Sequence, residues 1–500
     1  MTHETLIGID AGTSAVKVCA FDRAGRLLAK AQRNVPLMTP YPLWAEIDVD
    51  RYWELVSEAL RDVGARVTNV VGIGFATTCP TMIALDADDQ SIGPAPVYLD
   101  GRTDALIADV LGADAARYSE RTGNRASVST VWASHALWLR RNDAAAWTRV
   151  RRIAMLNSWL AFKLTGAWGI DSTQMSYSGL VDVRRSDPEW SDDLLRLWQI
   201  DRALLPPVQR ADKALGRTHS AFGDTLPAGI PVSLGAADTA AASLAIGLNK
   251  DKDAFESIGT SGVLTVCLDR PNFDETFMNR YHVLPQRWLA HGAMSTLGGA
   301  FGWLNSKVWP ELRSFADLER LAEESVPGAN GLVFLPYLAG ERSPHWDTAA
   351  SGGWLGLRLS HSRADMIRAV FEGTTFGLRQ IFDHARDRWN WHPAYLMGVG
   401  GGARSRFIAQ MKADILGLEY RTADMADAAA LGAALMGGVA GGVYASLTDP
   451  ELPRIQATSS PFKPGMQDRR RVYEQAFSVY ARLYGQLRDT MHQLGALSTP

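Results

Sequence analysis

LIGIDAGTSAVKVCAFDRAGR, residues Leu6–Arg26, opens with a short apolar run that ends on a single acid, Asp10. The turn Ala11-Gly12-Thr13-Ser14 follows, and then a second apolar run, Val16–Phe21, closed by Asp22-Arg23-Ala24-Gly25. Two apolar runs joined by small polar residues predict a strand, a tight turn and a returning strand. Gly12, Thr13 and Ser14 offer close backbone approach, N–H donors and two hydroxyls, which suit phosphate oxygens. Asp10 beside them suits a hydrated Mg²⁺. An edge hairpin with a small polar turn fits the same residues, and so short a motif does not separate the two.

A second copy does. Glu256–Arg270 reads ESIGTSGVLTVCLDR, and superposing Gly259-Thr260-Ser261 on Gly12-Thr13-Ser14 also brings Val263 onto Val16 and Asp269-Arg270 onto Asp22-Arg23. Copies half a chain apart indicate a duplicated architecture. Two related domains, each offering a Gly-Thr-Ser hairpin to a shared cleft, would hold a triphosphate. The second copy lacks an acid matching Asp10, so the halves are not chemically equivalent.

The chain has 500 residues, enough for two large domains, and a net charge of -3 that gives no reason to expect nucleic acid or an anionic membrane as partner. MTHETLIGID lacks a basic segment leading into an apolar stretch of signal-peptide length, and no window approaches a membrane span. Cys19, Cys79 and Cys267 show neither pairing nor metal spacing, so a reducing cytoplasm is expected.

Along the first half, an amphipathic helix starts near Asp50. The apolar run Val70–Phe75 is a buried strand ending in the polar loop Ala76-Thr77-Thr78-Cys79-Pro80-Thr81. Ala95–Leu99 reads as a strand ending in Asp100-Gly101-Arg102, and Ala105–Arg121, Thr130–Arg141 and Asn157–Leu164 as helices. In an open α/β sheet, loops at the strands' carboxyl ends gather where ligands bind. Ile230–Leu234 is a strand running into Gly235-Ala236-Ala237-Asp238 and a small-residue helix. Asp238 at that junction is suited to helix capping. Its Gly/Ala surroundings also let a ligand close in, so that the carboxylate can take a proton from an attacking hydroxyl.

A polar run near Gly247–Asp253 separates the halves. Strands are then expected near His282–Pro285, Trp288–Gly292, Gly331–Leu338 and Tyr395–Val399, and helices after Ser295 and from Ser362 to Arg388. Gly400-Gly401-Gly402 at a strand-to-helix turn lets a flat ring or phosphate lie on the backbone. Asp427–Gly442 is a second small-residue helix. The last helix, Gln467–Leu494, carries Tyr473, Phe477, Tyr480, Tyr484, Leu487 and Met491 as a packing stripe. The chain contains neither G-x-x-x-x-G-K-[ST] nor H-E-x-x-H. His135, His345 and His384 read as surface or satisfied helix residues.

IGIDAGTS at 7–14, PLWAEIDVDRYW at 42–53, YLDGR at 98–102, GAADTAAASLAIG at 235–247, IGTSG at 258–262, FLPYLAGERSPHWD at 334–347 and GGGARS at 400–405 together resemble the FGGY family of carbohydrate kinases, most of all its xylulokinases. The resemblance spans nearly the whole chain. It implies an α/β fold of two ribonuclease-H-like domains, as in the actin, Hsp70 and sugar kinase superfamily, flanking a catalytic cleft. The expected divisions are 1–247 for sugar, 253–445 for nucleotide and 446–500 for a tail and packing helix. By the same resemblance Asp238 is the general base, and Asp10 lies by the metal and γ-phosphate. Gly12, Thr13 and Ser14 form the first phosphate loop, with Gly259 and Thr260 in the second. Gly298, Gly401, Gly402 and Ser405 surround the nucleotide, and Thr78, Cys79, Pro80, Asp100, Arg102 and Asp238 face the sugar.

The implied activity is ATP- and Mg²⁺-dependent phosphorylation of a terminal hydroxyl on a small ketose, D-xylulose first. D-ribulose, another ketose, or a polyol such as erythritol or glycerol are alternatives, and a non-catalytic sugar sensor or an ATPase is the reading of another class. The implied partner is a small-molecule sugar, and a homodimer is compatible with it. Two positions depart from xylulokinases. Thr78-Cys79-Pro80-Thr81 stands where they carry Gln-Met-His-Gly, so the sugar-facing histidine has no counterpart. Ser158 stands where an aspartate is common.

Overall fold

The computed structural model describes residues 4–219, 226–424, 427–458 and 460–497. The chain forms two compact units: Met1–Asp251 with Cys267–Leu289 and Asp427–Ile455, and Lys252–Val266 with Ala290–Ala426 and Gln456–Pro500. Sequence divides the chain by repeat and packing divides it by contact, so the two partitions differ at these returns. Among the described residues no helix is long and apolar enough to cross a membrane.

The first unit is built on one mixed sheet. Its strands are β1 Thr5–Ala11, β2 Ala15–Asp22, β3 Leu27–Asn34, β4 Val70–Thr77, β5 Ala214–Arg217 and β6 Pro231–Ser233, in the order β5-β6-β4-β1-β2-β3, with β7 Ala236–Ala237 also pairing β4. β1 and β2 form the expected antiparallel hairpin, with Asp10 opposite Lys17, while β4 lies parallel to β1. Helix α1, Val49–Gly64, is started by Asp48, whose carboxylate accepts from the N–H groups of Asp50 and Arg51. It buries Tyr52, Leu55, Val56, Ala59, Leu60 and Val63. That apolar stripe covers β2 and β3.

The other face of this sheet holds the helix Ala428–Ala440, which also packs on α2, Asp238–Ile246. Glycines explain the closeness. A Cβ on Gly8 would lie 1.8 Å from the Ala430 carbonyl oxygen, one on Gly74 2.1 Å from that of Ala433, and one on Gly432 1.9 Å from that of Ala241. The small-residue runs are therefore a packing code between backbones. The segment 427–455 joins the first unit for this reason.

Three local expectations are corrected. The strand expected over Ala95–Leu99 is shorter: Ala95–Pro96 pairs with Glu46–Ile47, Val97 still donates to the Ala45 carbonyl at 3.0 Å and bridges Thr81, and Asp100 then caps a short 3-10 turn, Gly101–Thr103. The single helix of 105–121 is two, Asp104–Leu111 and Ala115–Thr122, broken at Gly112 with φ 45. The strand expected at His282–Pro285 lies earlier, at Met278–Tyr281. The His282 ring bonds the Leu248 carbonyl and the Val283 N–H, which takes the chain out of the ladder.

The second unit repeats the plan. β8 Ala254–Ile258 and β9 Gly262–Leu268 form an antiparallel hairpin, and β10 Trp288–Met294 flanks it. Helix α3, Arg363–Trp389, begins with a reciprocal capping box between Ser362 and Asp365. β11 Tyr395–Val399 lies parallel to β8, helix α4 follows at Arg406–Leu416, and β12 Glu419–Ala423 pairs β11 in parallel. Beneath the sheet, Glu256 of β8 is held by Lys412 of α4 and by the Tyr420 hydroxyl of β12 at 2.5 Å. The last helix, α5 Gln467–Leu497, buries Tyr473, Tyr480 and Met491 of the predicted stripe. Tyr484 instead stacks on His345 at 3.8 Å and donates to Asp347.

Candidate active site

β1 carries Asp10 to the edge of the first sheet, and the turn to β2 follows at once. The Gly12 N–H donates to the Ala15 carbonyl at 3.0 Å and the Gly12 carbonyl accepts from the Tyr52 hydroxyl at 2.9 Å, so α1 holds the turn. Ser14 is exposed. The Asp10 Oδ2 faces the Lys17 ammonium at 3.2 Å, which the hairpin register places opposite it. Burial pushes the Asp10 carboxyl above its ordinary range against the opposing pull of Lys17, and the charge of Asp427 adds to the rise. Asp427 is itself paired with Lys30 at 2.5 Å.

The sugar-loop candidates adjoin this turn. The Thr78 N–H donates to the Ala11 carbonyl at 2.9 Å, and the Thr13 and Thr78 hydroxyls share a hydrogen bond of 2.9 Å. Thr78 and Pro80 are buried and Cys79 is half-buried. Next along the sheet, β7 pairs with the end of β4, Ala237 opposite Thr77, and delivers Asp238. Asp238 is half-buried and accepts from the Thr239 N–H at 2.6 Å. Burial, and then the charge of Asp10, push it from 3.8 up to about 7. A carboxyl poised there exchanges a proton readily near neutral pH.

Sequence reasoning missed the segment that braces this junction. The Thr173 hydroxyl accepts from the Ala237 N–H at 2.8 Å and donates to the buried Asp171 at 2.5 Å. Gln174 donates to the Thr77 hydroxyl at 2.6 Å. Burial pushes Asp171 up to about 6 despite these bonds. No periodicity or motif marks Asp171, Thr173 or Gln174. Lys17 was missed as well: Ala11 belongs to β1 and pairs with Val16, which shifts the register and sets Lys17 opposite Asp10.

Asp100 and Arg102 belong to a separate polar cluster. The Asp100 carboxylate accepts from the Ala45 N–H at 2.8 Å, from Arg102 at 2.6 Å and from His135 at 3.3 Å. Burial alone would raise it, yet the bonds from His135, Arg102 and Ala45 hold it down to about 2. Arg102 also reaches Glu46 at 2.6 Å and stacks over Trp44 at 3.5 Å. Both residues are engaged with protein partners, and His135, set aside from sequence, is one of them.

In the second unit, the Gly259–Ser261 turn docks on the start of the helix Gly298–Trp303. The Gly298 N–H donates to the Gly259 carbonyl, and those of Leu297 and Gly299 donate to the Thr260 carbonyl. A Cβ on Gly298 would lie 2.4 Å from the Gly259 oxygen. Gly400 has φ 96, and a Cβ on Gly402 would meet the Ile258 side chain at 2.3 Å, whereas Gly401 faces open space. Ser405 caps α4 through the Ile408 N–H at 2.9 Å and donates to Glu319 at 2.6 Å. A cavity of about 350 Å³ opens beside this turn, lined among others by Arg404, Thr422, Asp424 and Phe462.

Comparison with known proteins divides the chain between the two repeated hairpins. Residues 5–245 match the N-terminal domain of the FGGY family of carbohydrate kinases, and residues 254–441 its C-terminal domain. The xylulose kinase of Escherichia coli K12 is 30% identical over 498 residues, covering 95% of this chain and all of that protein. That of Lactococcus lactis is 28% identical over 501 residues, 98% of each chain. The crystal structure of xylulose kinase from Rhodospirillum rubrum superposes with a TM-score of 0.89 at 27% identity, over 98% of this chain and 100% of that one.

Proposed function

The chain belongs to the FGGY family of carbohydrate kinases, and from that premise we propose that it transfers the γ-phosphoryl group of ATP to a terminal hydroxyl of a small ketose, with D-xylulose the leading candidate. One observation carries this reading. Within a single sheet the ends of β1, β4 and β7 bring together Asp10, the Thr13–Thr78 hydrogen bond and Asp238.

Asp238 takes the proton of the sugar hydroxyl as its oxygen attacks the γ-phosphorus in line. Its elevation to about 7 keeps the proton affinity high enough for that transfer. Thr173, by accepting from the Ala237 N–H, fixes the chain immediately before the base. The Gly12–Ser14 turn meets phosphate oxygens with backbone N–H groups and hydroxyls. Thr78, Cys79 and Pro80 contact the sugar, and Asp100 with Arg102 holds the neighbouring segment at Ala45 in place. The Gly259–Thr260 turn, Gly298 and Gly401–Gly402 receive the nucleotide, with Ser405 supporting that turn as the cap of α4.

Asp10 would hold a hydrated Mg²⁺. Its Oδ2 faces Lys17, and Oδ1 has no partner among the described residues. Such an ion, when bound with the nucleotide, neutralises phosphate charge.

ADP release measured by a coupled assay across D-xylulose, D-ribulose, ketotetroses, erythritol, glycerol and gluconate tests the reading. The highest kcat/KM is expected with a ketose bearing a free terminal hydroxyl. Glycerol or gluconate as clear winner overturns the ketose assignment, and ADP release indifferent to every sugar overturns the kinase reading.

A further inference from the structure

Arg280 lies in the first unit, on the strand Met278–Tyr281, among residues with no role assigned above. Its side chain is buried, with 4% exposure, and Nε has no hydrogen-bond partner. Among the described residues no carboxylate pairs with the guanidinium, which lies over the Tyr177 ring, 4.1 Å from ring centroid to guanidinium carbon. Arg368 shows what a buried arginine in this chain otherwise looks like. It bonds Glu372 at 2.7 Å, the Ser325 carbonyl at 2.9 Å and the Tyr473 hydroxyl at 2.8 Å. A buried cation without a counter-charge is costly, and such an orphan requires an explanation.

Its position supplies one. Tyr177 directly follows the segment Asp171–Ser176 that braces the Asp238 junction, and the Tyr281 N–H donates to the Ser176 hydroxyl at 3.1 Å, tying the Arg280 strand to that segment. In the same segment Gln174 is fully buried. Its amide nitrogen is spent on Thr77, and Oε1 is left without a partner. Cys79 of the sugar loop lies within electrostatic reach of both Asp238 and Arg280.

A guanidinium has five donors and no acceptor, so it fits an oxygen that only accepts. Gln174 Oε1 accepts, so it fits a hydroxyl. We propose that Arg280 is a specificity-determining substrate residue: it receives the carbonyl or carboxylate oxygen of an α-hydroxycarbonyl end of the sugar, remote from the hydroxyl that Asp238 activates, while the adjacent hydroxyl donates to Gln174. This rests on the kinase reading and deepens it. A ketose and an aldonic acid share that end, whereas a polyol lacks it.

The test compares wild type, Arg280→Met and Arg280→Lys on D-xylulose, D-xylonate and xylitol, together with thermal melting of each protein with and without D-xylulose. Wild type is expected to favour an oxidised compound over xylitol. The higher kcat/KM between D-xylulose and D-xylonate identifies which oxidised end is read. Arg280→Met should lower kcat/KM for the oxidised compounds by about 10–100-fold, the worth of a charge-assisted hydrogen bond, chiefly through KM, and leave xylitol within a few-fold. Arg280→Lys, which keeps the charge without the fork, should fall between. Because the substitution removes a buried unpaired charge, the Tm of Arg280→Met should equal or exceed that of wild type, while its gain on adding sugar shrinks.

A lowered Tm with an unchanged ketose-to-xylitol ratio overturns the proposal and makes Arg280 structural, as does a Met variant that fails to fold. A wild-type preference for xylitol overturns it as well. In each of those cases sugar-stimulated ADP release leaves the kinase reading standing. A wild type that no sugar stimulates overturns both.

Discussion

Asp238 is the proposed base, and its environment sets how activity should respond to pH. The native carboxyl holds its proton up to about 7, while the unfolded chain releases it near 3.8. Between those values the native state binds more protons than the unfolded state, so this group makes stability decline as pH rises and stops doing so above about 7. Activity runs the other way, because only the ionised base accepts a proton. A pH profile of kcat/KM should fall on its acid side with a midpoint near 7, and Asp238→Asn should lower kcat by on the order of 10²–10⁴ and remove this group's share of the stability decline. Turnover within a few-fold of wild type would return Asp238 to helix capping. Asp238 was legible in the sequence because a lone acid at a strand-to-helix junction is a local pattern. Asp100 and Arg102 were legible only as residue types. Their mutual pairing, with His135 and Glu46 added, joins positions scattered over some 90 residues that no local pattern links.

Elements read best where their signals are local. The hairpins β1–β2 and β8–β9 follow from apolar runs and a Gly-Thr-Ser turn, and α3 from its long amphipathic pattern. Boundaries failed where one residue changes the backbone's options, as at Gly112. The small-residue helix Ala428–Ala440 was placed correctly as a helix, but not on the first sheet, since that contact joins backbones more than 350 residues apart in sequence. Gly432→Ala tests the same helix's contact with α2. Its Cβ would fall 1.9 Å from the Ala241 oxygen. The resulting overpacking costs roughly 1–3 kcal/mol and outweighs the gain of up to about 1 kcal/mol from helix propensity. Gly485→Ala in α5, where a Cβ meets nothing within 4 Å, should instead stabilise. Denaturant unfolding of the two variants should shift midpoints in opposite directions. A stabilised Gly432→Ala would contradict the packing described.

At the scale of the whole molecule, repeat and packing give different divisions. The family domains at 5–245 and 254–441 follow the repeated hairpins, which sequence displays directly. The compact units follow backbone contact and take 427–455 into the first, a pairing invisible to any reading of neighbours along the chain. The sugar is the part least written in local pattern, because the proposed recognition rests on orphaned atoms such as Arg280 Nε and Gln174 Oε1, which are identifiable only once burial is known. The central claim is phosphoryl transfer from ATP to a sugar hydroxyl, and ³¹P NMR of a reaction containing ATP, Mg²⁺ and D-xylulose tests it most directly. The account predicts a new phosphomonoester resonance, coupled to a terminal methylene, that grows in equal amount with ADP and is absent with Asp238→Asn. Inorganic phosphate growing with ADP in its place, at a rate unaffected by the sugar, would contradict it.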